Sequence, residues 1–500
     1  MAENFQHPLQ CMQFVKKKNG DSRNVLVASA GAKLFSYSAE SGKRLSVWPQ
    51  DGVDDPNANN AGSNLEIEGP PGKKRKVDTS SEQKVGVEST KKPAAWTSIP
   101  VVTSTSDGEY LVALTGEDKC VRVFQIEGDG SFLQLSERQM PKRPCAITFM
   151  ENSDILTGDK FGDVYSMPLI PSAEPRAVSK TRNQMGSMRI AATNLTVHTQ
   201  RNLRSLEMQL ERQNDSNQKK ESEKPIFDHD LLLGHVSLLT DVAFASLPSP
   251  DPSSTQKRSY ILSADRDEHI RVSRSAPQAH VIENYCLGHT SFISKLCIPQ
   301  WAPEFLISGG GDPHLIVWNW AAGELLHTVP LIEESLEGKE VAVRGIWAAS
   351  LGPEAQRVIF VSLEGSPTLQ TFTLETNGSI TPQDPVKASG NVLDVQVSED
   401  ANTVLISVDC IREPGSTQEW RSSPVPSASL LEAFRLKQGS RNKLEWESVS
   451  DAVINTINEA GTSPVSLPAD GDHKQKAALN NSLYTMTNLR KKLGEDYDER

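Results

Sequence analysis

Apolar residues recur along this chain in short runs, grouped four at a time and separated by turns rich in Gly, Asn, Ser and Asp. Residues 9–48 set the pattern with LQCMQFV, NVLVASA, KLFSYSA and RLSVWP, each the length of a strand and too short for a helix. The grouping returns in IPVVTSTS, YLVALTG, CVRVFQI and FLQLSER, then in CAITFM and DILTGDKFGDVYSMPL, and again beyond residue 225. A repeated four-strand unit predicts a ring of small antiparallel sheets, because one such sheet cannot cover its own apolar faces and must stack on its neighbours.

Residues 231–320 hold two tandem copies of a sharper pattern, opening at Gly234-His235 and Gly288-His289. In the second copy LGHTSFISKLCIP and FLISGGGDPHLIVWNW place His289, Ser308, Asp312 and Trp318 in the order of a WD repeat. The chemistry of that quartet is structural. A carboxylate fixes the imidazole tautomer, the imidazole reaches the serine, and the serine reaches the indole N–H. In the first copy His235 matches His289, and aligning ILSADRDEHIRVSR on the aspartate makes Asp267 the equivalent of Asp312 and puts Ser273 at the place of Trp318. Asp118 and Asp159 each stand six residues before an aromatic, Phe124 and Tyr165, as Asp312 does before Trp318. The expected fold is all-β, a seven-bladed WD40 β-propeller with disordered insertions and a short C-terminal helical tail.

The expected divisions are blade 1 in 1–48, a disordered insertion in 49–95, blades 2 and 3 in 96–169, a second insertion in 170–225, the end of blade 3 through blade 5 in 226–330, blades 6 and 7 in 331–450, and a partly helical tail in 451–500. The first insertion is rich in Asp, Asn, Gly, Pro, Ser and Lys, a composition that cannot bury a core. Within it Lys73, Lys74, Arg75 and Lys76 follow Pro-Gly and form a compact basic cluster of the kind read as a nuclear import signal. The second insertion contains Leu203, Leu206 and Leu210 at helical spacing. In the tail, Leu479, Leu483, Met486 and Leu493 predict one face of a helix that ends near Arg490, Lys491 and Lys492.

Composition narrows the function. The formal charge of −12 has the wrong sign for binding nucleic acid unaided. The six cysteines are scattered with no C-x-x-C pair, which predicts reduced thiols and no metal site. No apolar run is long enough to span a bilayer and no leader is evident, so a soluble protein that is not secreted, without membrane partners, is expected. Nucleotide-binding and hydrolase motifs are missing; Gly309-Gly310-Gly311 lies between two strands and is a turn, not a phosphate cradle. A non-enzymatic scaffold without catalytic, cofactor or metal residues follows.

The stretch that departs from a generic repeat is ADRDEHIRVSR, where Arg266, Glu268, His269, Arg271 and Arg274 crowd one turn and strand. His269, Arg271 and Ser273 share a face opposite Ile270 and Val272. The run ILSADRDEHIRVSR, followed by YCLGHTSFISKL and FLISGGGDPHLIVWNWAAGELL, resembles the WD-repeat, non-catalytic subunit of the eukaryotic tRNA (guanine-N7)-methyltransferase, with D-R-D-E-x-I-[RK]-[VI]-S its distinctive element. The insertion lengths fit a fungal member. The resemblance implies a nuclear heterodimer with a catalytic, S-adenosylmethionine-dependent subunit that forms N7-methylguanosine in the tRNA variable loop. The cofactor sits on that partner, and this chain stabilises and orients it. The resemblance also places Arg271 at the family's partner-contacting position, with His269 beside it; the charge cluster itself adds Glu268, Arg266 and Arg274 to the candidate surface. It implies that tRNA is reached mainly through the partner, with Lys142-Arg143 as a local patch that could add to it. The alternative is a general nuclear WD40 scaffold such as a ubiquitin-ligase substrate receptor or chromatin adaptor.

Overall fold

A computed structural model describes residues 5–17, 24–50, 96–171, 227–249, 256–331, 340–352, 355–398, 402–423, 429–437, 443–465 and 473–491. The basic cluster Lys73 to Lys76 and the segment with Leu203, Leu206 and Leu210 lie outside the described residues.

Seven four-stranded antiparallel sheets form the blades, each built from strands consecutive in the chain. They span 11–48, 101–139, 144–234, 239–287, 293–330, 343–387 and 391–448. Blade 3 is completed by Asp230–Gly234, after the second insertion. The second strand of a blade is covered by neighbours on both faces, which is why Val25–Ala30, Phe305–Gly310 and Thr403–Asp409 are apolar or small and buried along their whole length rather than alternating. The outer strand meets water, as Glu324–Pro330 shows. Seven apolar clusters fill the seven spaces between adjacent blades; between blades 4 and 5, for example, Leu262, Ile270 and Val272 meet Ile293, Leu306 and Trp318.

Closure of the ring uses segments outside the blades. Phe5–Gln6 pairs antiparallel with Pro464–Val465. Helix α1, Ala452–Ala460, starts at Asp451, whose carboxylate accepts from the Val453 amide, and ends at Gly461, with φ at +62°. Its Ile454 and Ile457 join Phe5, Leu9, Leu26 and Leu431 in the cluster joining blades 7 and 1.

The predicted tail helix is shorter than its periodicity suggested. Helix α2 runs His473–Leu483, and its last bond is from the Tyr484 amide to the Asn480 carbonyl. Leu479 and Leu483 do pack together against Leu393. Met486 is off the helix, because its amide and that of Thr487 are held by the Glu364 carboxylate at 2.9 and 2.8 Å. These bonds to a charged acceptor outcompete continuation of the helix. Leu493 lies outside the described residues.

Candidate partner-docking site

Blade 5 carries the complete lock. His289 Nδ1 is 2.7 Å from an Asp312 carboxylate oxygen, its Nε2 is 2.7 Å from Ser308 Oγ, and the Trp318 indole donates to that same Oγ at 2.8 Å. All four side chains are buried. Burial opposes ionisation of Asp312, yet hydrogen bonds from His289 and Thr290 outweigh it and bring the carboxyl down to about 2. At Gly288 a Cβ would stand 3.0 Å from the Trp318 ring, a tight contact that the ring could meet only by shifting.

Blade 4 modifies this lock, and one assignment made from the sequence is corrected. His235 meets Ser263 Oγ at 2.7 Å, but its Nδ1 meets Asp265, not Asp267, at 3.1 Å. Asp265 also accepts from the amides of Asp267 and His269 at 2.9 and 3.1 Å, while the half-exposed Asp267 carboxylate pairs with Lys491 at 3.0 Å. The register does put Asp267 at the place of Asp312, as the alignment had it; the bond to His235 shows that the working carboxylate stands two positions earlier, at the place of Gly310. Asp265 pairs with Leu239 as Gly310 pairs with Ile293. Asp159 has the same position and the same two amide bonds, to Phe161 and Asp163. The shared six-residue offset to an aromatic is therefore not one structural relationship: Tyr165 pairs with Thr157, the counterpart of Ser308, whereas Trp318 pairs with Leu306.

Ser273 does stand at Trp318's register position, opposite Ile261 as Trp318 is opposite Leu306. The loss of the indole leaves room that Arg271 uses. Its Nε donates to Ser273 Oγ at 2.9 Å and its Nη1 to the Gly234 carbonyl at 3.2 Å. Burial lowers the guanidinium's pKa, and among the described residues no carboxylate pairs with it. A half-buried arginine held by two neutral acceptors presents its remaining donors outward.

The neighbouring outer strand, Ile282–Leu287, supplies a feature that the sequence reading missed. Residues opposite one another in register share a face, so Tyr285 lies beside Arg271 and Leu287 beside His269. Tyr285 is 43% exposed and Leu287 60%, with Ile282 also exposed at the other end. Val236, next to Gly234-His235, is fully exposed. Apolar residues on the solvent face of an outer strand, around a cation without a carboxylate partner among the described residues, make this surface the candidate docking site. The available signal was the spacing Tyr285, Leu287 around buried Cys286 in a strand that should be polar outward.

The other candidates disperse. His269 is exposed at the start of the strand, 3.5 Å from Asp265. Glu268 takes a left-handed turn conformation, with φ at +72°. Arg266 donates to the carbonyls of Leu489 and Arg490, away from the outer strand. Arg274 is tied to Glu283 and Gln278. The surface around Arg271 is thus smaller and more apolar than a charge cluster.

Two groups of potential metal ligands have other duties. In His289, Asp312 and His314, both His289 nitrogens serve the lock; between Asp118 and Glu137 sits the Arg122 guanidinium, 2.5 Å from each. The cysteines are all free thiols, and burial raises the pKa of each.

Comparison with known proteins agrees with this architecture. The family described as tRNA methyltransferase TRM82 WD40 domain matches residues 26–434. The tRNA (guanine-N(7)-)-methyltransferase non-catalytic subunit trm82 of Aspergillus oryzae is 53% identical over 503 residues, covering 99% of this chain and 100% of the relative. That of Aspergillus fumigatus is 51% identical over 510 residues, with 99% and 100% covered, and that of Coccidioides immitis is 42% identical over 514, with 95% and 96% covered. The match runs from the second strand of blade 1 to the third strand of blade 7, and the chain belongs to the family of WD-repeat, non-catalytic subunits of tRNA (guanine-N(7)-)-methyltransferases.

Proposed function

We propose that this chain is the scaffold half of a heterodimer. It binds the catalytic, S-adenosylmethionine-dependent subunit through the outer face of blade 4 and stabilises and orients that subunit for N7-methylguanosine formation in the tRNA variable loop. The observation that carries this reading is Arg271: half-buried, without a carboxylate among the described residues, and flanked by exposed Tyr285 and Leu287. A partner carboxylate placed there would be shielded from water by the same apolar contacts that give the surface its area. The cofactor belongs to the partner, and with a charge of −12 this chain leaves most of the tRNA phosphate contact to it as well. The nucleus is the proposed compartment, resting on Lys73, Lys74, Arg75 and Lys76.

The test is reconstitution. The catalytic subunit is assayed for N7-methylation of a tRNA transcript alone and with increasing amounts of this chain. Activity should rise until the two are equimolar, and both should elute as one species. A catalytic subunit equally active and equally stable alone would contradict the proposal. Capture of ubiquitin-ligase or chromatin components in place of a methyltransferase would favour the general scaffold.

A further inference from the structure

Blades 6 and 7 lack the Gly-His and Trp of the full repeat, and their turns are secured by another part of the chain. In blade 7, Asp409 pairs with Asn391 as Asp265 pairs with Leu239, so the two aspartates are equivalent. Where Asp265 meets a histidine, Asp409 accepts from the hydroxyl of Tyr484 at 2.6 Å and from Arg412 at 3.1 Å. Tyr484 in turn accepts from Asn391 at 3.1 Å, and Asn480 on α2 takes the Arg412 Nε at 3.2 Å.

From there the chain crosses the ring. Ser482 and Leu483 are held by Gln10 and Arg344, and Ser482, Leu483, Thr485 and Met486 line one end of a central cavity of about 540 Å³. Next come three turns in succession at one equivalent position. Arg266, Gly311 and Glu364 each donate their amide, at 2.8 Å, to the residue just before the inner strand of their own blade. Glu364 holds the amides of Met486 and Thr487, the Gly311 carbonyl accepts from Arg490 at 3.1 Å, and Arg266 donates to the Leu489 carbonyl at 2.8 Å. The path ends with Lys491 on Asp267.

We propose that residues 479–491 are a clasp that replaces the missing histidine lock in blade 7, secures the turn of blade 6, and fixes at its far end the turn from which the Arg271 strand begins. Arg266 and Asp267 lie in the turn that delivers His269 and Arg271 to the docking face. The segment is therefore a positioning element for partner binding that acts through the turn before the Arg271 strand. This inference rests on the docking reading given above. Coupling of this kind needs an element that both sites bias, and the 265–268 turn is that element.

The experiment uses the full chain with Arg490→Ala and Lys491→Ala together, which remove the side-chain bonds of the far end to Gly311, Val341 and Asp267, and Tyr484→Phe, which removes one hydroxyl at the near end. Native-state amide exchange and affinity for the catalytic subunit are measured for each, with Arg271→Glu as reference. Releasing the far end should leave the unfolding temperature nearly unchanged and speed exchange at Arg266, Asp267 and His269 by tenfold or more. It should also weaken partner affinity severalfold. Tyr484→Phe should speed exchange at Ile411 and Arg412 instead. Unchanged exchange at 266–269 in the double variant overturns the clasp. Faster exchange with unchanged affinity overturns its positioning role. Normal binding by Arg271→Glu alongside faster exchange would overturn the docking site and, with it, the positioning role, while leaving the clasp supported.

Discussion

The assignment of Asp265, rather than Asp267, to the blade 4 lock yields a sharp prediction. Asp265 is 4% exposed, and its carboxylate serves three donors: His235 Nδ1 and the amides of Asp267 and His269. Truncation to alanine strands all three. Hydrogen bonds to a charged group contribute about 1.5–3 kcal/mol each, and because the three share one acceptor their losses do not add, so Asp265→Ala should cost about 3–5 kcal/mol. Asp267 makes a half-exposed pair with Lys491, of a kind that contributes roughly 0–1 kcal/mol. Thermal unfolding of the two purified variants separates the cases. Asp265→Ala should fall by several degrees and Asp267→Ala by about a degree or two at most. Equal shifts, or a larger one for Asp267→Ala, would refute the assignment, and with it the equivalence of Asp265, Asp159 and Asp409.

Other outcomes follow from the same geometry. Trp318→Ala empties a fully buried site and removes a donor to Ser308, for an expected loss of about 3–5 kcal/mol in chemical or thermal unfolding. Asp312 is held below its ordinary value, so the stability it contributes is fully present above about pH 4 and disappears as pH falls toward about 2. Asp312→Asn should be less stable at neutral pH and show a flatter acid-unfolding curve across that window. Tyr285→Ala with Leu287→Ala should leave unfolding nearly unchanged, since both are exposed, yet weaken capture of the catalytic subunit at least tenfold, or about 1.4 kcal/mol. Replacing Lys73, Lys74, Arg75 and Lys76 by alanine should move a fluorescently tagged protein toward the cytoplasm; unaltered nuclear enrichment would assign import to the partner.

The four-strand grouping and the full quartet of blade 5 were legible because both are local: strand length, turn residues and the spacing of His289, Ser308, Asp312 and Trp318 follow from consecutive residues. What escaped depended on register or on distant partners. Asp265 and Asp267 are both near enough in sequence to serve His235, and the contact of His235 Nδ1 with the Asp265 carboxylate selects between them. The clasp joins residues far apart in the chain, such as Tyr484 and Asp409, whose contact no periodicity announces. The same contacts ended helix α2 early, so a sound helical pattern overran the true element. At the proposed docking face the sequence pointed to charge, because charged residues crowd there. The structure assigns Arg266 and Arg274 to internal bonds and leaves Arg271 among exposed apolar side chains.

The central claim is that the catalytic subunit docks on the outer face of blade 4 around Arg271. The most direct measurement is co-purification of that subunit with Arg271→Glu, alongside the variant's unfolding temperature. Among the described residues Arg271 bonds only to Ser273 and the Gly234 carbonyl, so the variant should fold nearly as well as the parent. A reversed charge at a desolvated contact should weaken the complex by about 3–5 kcal/mol and abolish co-purification. A folded Arg271→Glu protein that still retains the methyltransferase at a one-to-one ratio would contradict the account.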